Sequence, residues 1–123
     1  MMIVIRTIPH AEQRYPTAGD YWWDDDGTWQ IRVSDLGDWR KELLLGLHEL
    51  IESGICRHKG ISEQSITDFD IAWEKKQPRT GEPGDSPEAP YFNEHQFATS
   101  IERICSFHLG VDWVEYNAVM DAL

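Results

Sequence analysis

Apolar positions in the middle of the chain recur at helical spacing. From residue 38 onward, Leu43, Leu44, Leu47, Ile51 and Ile55 fall on one arc of a helix turning about 100° per residue. Asp38 supplies an N-cap, and Gly54 stands where a left-handed stop is expected. His48 and Glu52 lie inside that apolar arc, one turn apart, and Glu49 lies at its edge. A second stripe, Ile66, Phe69 and Trp73, predicts a helix over 66–75 that also turns Asp70 inward, with Ser62 or Thr67 as its cap. A third helix is expected over 94–108, capped by Asn93 and stopped by Gly110. Phe97, Ala98, Ile101, Cys105 and Leu109 form its apolar face, which includes Glu94 and is bordered by His95 and Glu102. Trp113, Tyr116 and Met120 predict a short closing helix over 112–123.

Before residue 37 the period changes to two. Residues 2–8 are β-branched up to Pro9 and predict a buried or half-buried strand. Asp26-Gly27 between an aromatic run and an alternating run (Trp29, Ile31 and Val33 inward) predicts a hairpin. The expected fold is therefore α+β, one domain over 1–123. A small N-terminal antiparallel sheet (1–36) packs on a helical part (37–123) of three to four helices. Residues 77–90 carry four Pro and two Gly and read as a long loop, either a lid over a site or a mobile excursion.

Charge narrows the partners. The net charge of −11 disfavours nucleic acid and anionic membrane surfaces and suits a basic protein surface. Cys56 and Cys105 are far apart, with no CxxC, and read as reduced, core-packed thiols. No N-terminal signal peptide or membrane-length apolar run is present, so a cytoplasmic protein is expected. Asp24-Asp25-Asp26 reads as turn chemistry rather than a Ca²⁺ loop. The Trp22, Trp23 and Trp29 cluster reads as sheet core or protein interface rather than a base-stacking platform.

The inward acids and histidines carry the chemistry. Residues at i and i+4 on a helix can grip one ion, because one turn brings their tips together; His48 and Glu52 have that spacing. A third ligand must come from elsewhere, with His95 the first choice and Asp70 the second. Asp70 and Glu102 would otherwise be additional ligands or acceptors that orient the histidines. Mixed imidazole and carboxylate donors suit Zn first, Fe or Mn next, and not Ca. An open metal position would hold an acidified water, with Glu49 as general base. The alternative for the same residues is a metal-free network, with His48 satisfied by Glu94 or Asp70 and Glu52 by Arg57 or Arg103.

At His48-Glu49-x-x-Glu52 the sequence resembles the zincin metallohydrolases, whose helical signature is His-Glu-x-x-His. His48 and Glu49 match, and Glu52 stands where that signature has its second His. The resemblance implies a metal-dependent hydrolase with Glu49 as base. The whole chain also looks like proteins of phage and prophage type carrying a His-Glu-Leu-x-Glu helix, which implies no activity. Two functions stay open. One is a metal-binding protein, acting as a hydrolase at a His/carboxylate site between helices. The other is a small acidic interaction or inhibitor protein of phage type that covers a basic surface of a host protein.

Overall fold

The computed structural model describes residues 1–76 and 81–123, and the α+β expectation holds. A three-stranded sheet in the order β1-β3-β2 is built from β1 (Ile3–Ile8), β2 (Gly19–Trp23) and β3 (Trp29–Ser34). β2 and β3 form the expected hairpin, with Tyr21 opposite Ile31 and Trp23 opposite Trp29. The Asp24 N–H donates to the Thr28 carbonyl and the Gly27 N–H to the Asp24 carbonyl, with Gly27 at φ 85°. The Asp24 and Asp26 carboxylates accept bonds from Trp22, Gln30 and Thr28, which is turn chemistry.

β1 departs from the expectation in two ways. It runs parallel to β3, Ile3 opposite Trp29, so the sheet is mixed rather than wholly antiparallel. A parallel pair needs a crossover, and here the connection 9–18 together with β2 supplies it. It is also an edge strand whose outer side chains stay exposed, Ile3 and Ile5 included, rather than buried.

Four helices follow. α1 (Trp39–Lys59) starts at Asp38, whose side chain accepts the Arg40 N–H, but it runs past Gly54 to a left-handed cap at Gly60, φ 74°. Gly54 does not stop the helix because its missing side chain serves packing. A Cβ there would come within 3.1 Å of the Trp29 ring. α2 (Glu63–Glu74) is capped by Ser62, and α4 (Trp113–Asp121) by Asp112. α3 (Phe92–His108) begins at Tyr91 rather than Asn93.

The buried faces differ from the apolar arcs read off the sequence. On α1 the buried residues include Leu45, His48, Glu49, Glu52, Ser53 and Cys56, an i, i+3, i+4 series, and Leu44 of the predicted arc, while Leu43 is half exposed. On α3 they are Glu94, His95, Ala98, Glu102 and Ser106, and Phe97 turns outward. Leu45 and Cys56 share the main core with Tyr21, Ile31, Val33, Ile66 and Tyr91; Leu44, Val111 and Tyr116 form a second cluster under α4. α1 thus lies between the sheet and α3. Both thiols are free, and no helix is long and apolar enough to cross a membrane among the described residues.

Candidate metal centre

The α1–α3 seam brings together three donor atoms. His48 Nε2 and Glu52 Oε2 are 2.9 Å apart, Glu52 Oε2 and His95 Nδ1 are 2.9 Å apart, and the two imidazole nitrogens are 3.1 Å apart. Tetrahedral metal–ligand bonds of about 2.0–2.2 Å put neighbouring ligands about 3.3–3.6 Å from one another, so this hydrogen-bonded triangle would open by a few tenths of an ångström around an ion. All three residues are buried, and together they could hold a metal ion. The i, i+4 spacing on α1 places the first two, and the helix packing delivers the third.

Each imidazole turns its other nitrogen outward to carboxylates. His48 Nδ1 lies 2.9 Å from Glu102 Oε1, whose other oxygen accepts the Tyr116 hydroxyl. His95 Nε2 lies 3.2 Å from Asp85 and 3.3 Å from Glu82, near enough for ionic attraction but off the hydrogen-bonding direction, so it has no hydrogen-bond partner among the described residues. Glu52 Oε1 accepts the Tyr21 hydroxyl at 3.0 Å. With protons on the outer nitrogens, two lone pairs and one carboxylate oxygen converge on a single point, the arrangement a cation satisfies. With every nitrogen protonated, the same groups form an ionic network.

Electrostatics favours that charged network in the metal-free protein. Burial alone would lower the His48 pKa, but its bonds to Glu102 and Glu52 hold it well above the ordinary range. Burial likewise opposes protonation of His95, yet Asp85, Glu52 and Glu82 push it up to about 12. Glu52 is buried too, and the two histidines bring it down to about 2. Glu49 goes the other way, raised well above the carboxylate range by burial and by the Glu52 charge.

Glu49 lies against β2, where a Cβ on Gly19 would collide with its carboxyl group. It lines a cavity of about 570 Å³ that also reaches His48, Glu52 and His95. Asp70, the second choice as third ligand, stands apart from the triangle. Its carboxylate accepts the Tyr15 hydroxyl at 2.9 Å and the Tyr91 hydroxyl, and burial raises its pKa to about 7. Glu102 touches His48 from behind and does not converge with the three donors. The partners considered for a metal-free network are engaged elsewhere: Glu94 pairs with Lys59 at 2.7 Å, Arg57 stacks on Trp23 and Arg103 on Trp113. Trp22 carries both Arg14 and Arg32 on its ring.

Of the groups behind the histidines, the sequence anticipated Glu102 as an acceptor orienting His48 and missed Glu82 and Asp85. Residues 77–80 of the Pro/Gly-rich loop lie outside the described residues, and the remainder folds onto His95 through a 3-10 turn at Pro83–Asp85. Gly84 allows the approach, because a Cβ there would overlap the His95 ring. The acids Glu82 and Asp85 in so Pro-rich a loop were the only available signal. Tyr21, Tyr91 and Tyr116 gave none, since an aromatic at a core position reads as packing. The chain matches no family model, no curated protein and no solved structure.

Proposed function

We propose that this protein binds one divalent transition-metal ion through His48 Nε2, Glu52 Oε2 and His95 Nδ1. The observation that carries the reading is the triangle of those three atoms, each edge between 2.9 and 3.1 Å, in the buried α1–α3 seam at the wall of the cavity. Two imidazoles and a carboxylate suit Zn first, with Fe or Mn as the other candidates. Glu102, Glu82 and Asp85 are positioning residues that hold the outer sides of the imidazoles.

The finer reading is a metal-dependent hydrolase. A three-ligand ion keeps room for a water, whose pKa it would lower towards neutrality. Glu49 follows His48 on the same turn and lines the same cavity, which supports it as the base for that water. The His-Glu pair shared with the zincin helix gives Glu49 the same role. The competing reading, an acidic protein that covers a basic partner, has the −11 charge in its favour. Glu49, Glu52, Asp70 and Glu102 are buried and withheld from such a surface.

Elemental analysis of untagged protein tests the metal site. About one Zn, Fe or Mn per chain is expected, and His48→Ala should lose it while keeping its helical circular dichroism. Stoichiometric metal retained in that variant would sink the proposal.

A further inference from the structure

The buried acids fall into two groups. Asp20 is gripped by Arg14 at 2.6 Å and Glu94 by Lys59 at 2.7 Å, while Glu52 and Glu102 face imidazoles at 2.9 Å. Glu49 and Asp70 have no such partner among the described residues. Glu49 is 8% exposed, and no described donor meets its carboxyl group. Asp70 is 6% exposed and meets only the neutral hydroxyls of Tyr15 and Tyr91. Burying a carboxylate without a counter-charge is costly, so two such groups in one place call for an explanation.

Both acids line the cavity that reaches the metal triangle. Glu63 and Asp121 line it as well, and among the described lining residues there is no Lys or Arg. Its wall also carries the aromatic rings of Tyr15, Trp73 and Tyr91, surfaces that attract cations. A carboxylate offers about four lone-pair sites, so Asp70 keeps acceptor capacity beyond its two hydroxyl donors. Away from the His48 and His95 imidazoles, an anionic ligand would meet acidic side chains rather than a cation.

We infer that this cavity takes a small organic cation, a primary ammonium or a guanidinium, whose charge is set against Asp70 and Glu49. As a binding site it stands without the metal. As the substrate class of a hydrolase it rests on the function proposed above, with the rest of the molecule extending to the His48, Glu52 and His95 side.

Four probes of matched size test it on the full-length protein, both metal-free and loaded with one equivalent of Zn: n-butylammonium, n-butylguanidinium, neutral n-butanol and anionic butyrate. Calorimetric titration should give both cations at least about ten-fold tighter binding than the other two. Asp70→Asn should erase that preference without changing the metal content, and Glu49→Gln serves as the second variant should the first misfold. Equal binding of all four probes by the wild-type protein overturns the inference, as does an unchanged cation preference in a folded Asp70→Asn. A second divalent ion per chain that disappears in both variants also overturns it, because the missing counter-charge is then a metal. Cation selectivity in protein that binds no metal would refute the metal site alone.

Discussion

On its sheet side α1 contributes Leu45 to a core with Tyr21, Ile31 and Val33; on its α3 side it sets His48 and Glu52 against His95 and Glu102. Both are buried, yet their physics is opposite. The sheet side gains from every apolar contact, and its residues could be exchanged for others of similar shape at modest cost. The α3 side holds charges whose mutual attraction mainly offsets the cost of removing them from water. Stability alone gives no reason to place four ionisable groups in a seam that leucines could fill. A bound cation does.

The largest expected effect comes from breaking the polar side at one point. Glu102→Ala leaves His48 Nδ1 and the Tyr116 hydroxyl without their acceptor, and should cost about 3–5 kcal/mol in denaturant unfolding of the metal-free protein. The same truncation in an isolated surface ion pair would cost under about 1 kcal/mol, so a value that small would mean water reaches the seam.

On the apolar side, Ile31→Ala should cost about 2–5 kcal/mol by transfer and cavity creation, because Ile31 is fully buried. Metal stoichiometry should not change, since Ile31 touches none of the three donors. Loss of metal together with stability would show that the two sides are mechanically one.

The pH dependence is the smallest and most diagnostic difference. Glu52 falls from 4.5 to about 2 on folding, so its stabilisation is present above about pH 4.5 and is lost as pH drops towards 2. His95 rises from 6.5 to about 12, so its stabilisation is complete below about pH 6.5 and is lost as pH climbs towards 12. These two groups alone would make metal-free protein most stable between about pH 4.5 and 6.5. Asp70, raised to about 7, and Glu49, also raised, lose stabilisation as pH rises and draw the optimum to the acid end of that window. Metal needs deprotonated imidazoles, so the gain in melting temperature on adding Zn should instead grow from pH 5 to pH 8. Thermal melts with and without Zn across that range check both limbs, and parallel curves would refute the coupling.

How much of this was legible depends on the range of the interaction. The hairpin was readable because Asp-Gly and strict alternation are local rules, and the caps Asp38 and, as one of two choices, Ser62 because a side chain reaches only its own first turn. His48 and Glu52 were readable as a pair for the same reason. The inward faces were readable in part: Leu44, His48, Glu52, Glu94 and Ala98 are buried as the apolar arcs imply, but the same arcs pointed to Leu43 and Phe97, which face solvent, because the seam between α1 and α3 is polar and hydrophobicity misreports its direction. Gly54 looked like a stop because a missing side chain in sequence does not reveal the Trp29 ring that occupies its place.

The sequence by itself determined a helical part of three to four helices, the hairpin, the acidic character and two of the three donors, His48 and Glu52, all of which follow from backbone propensity and spacing within a few residues. Only the tertiary structure decided that β1 runs parallel to β3, that His95 rather than Asp70 meets His48 and Glu52, and that Glu82 and Asp85 fold back on His95. Those contacts join residues far apart in the chain. They depend on how whole helices and strands pack, which no local pattern records.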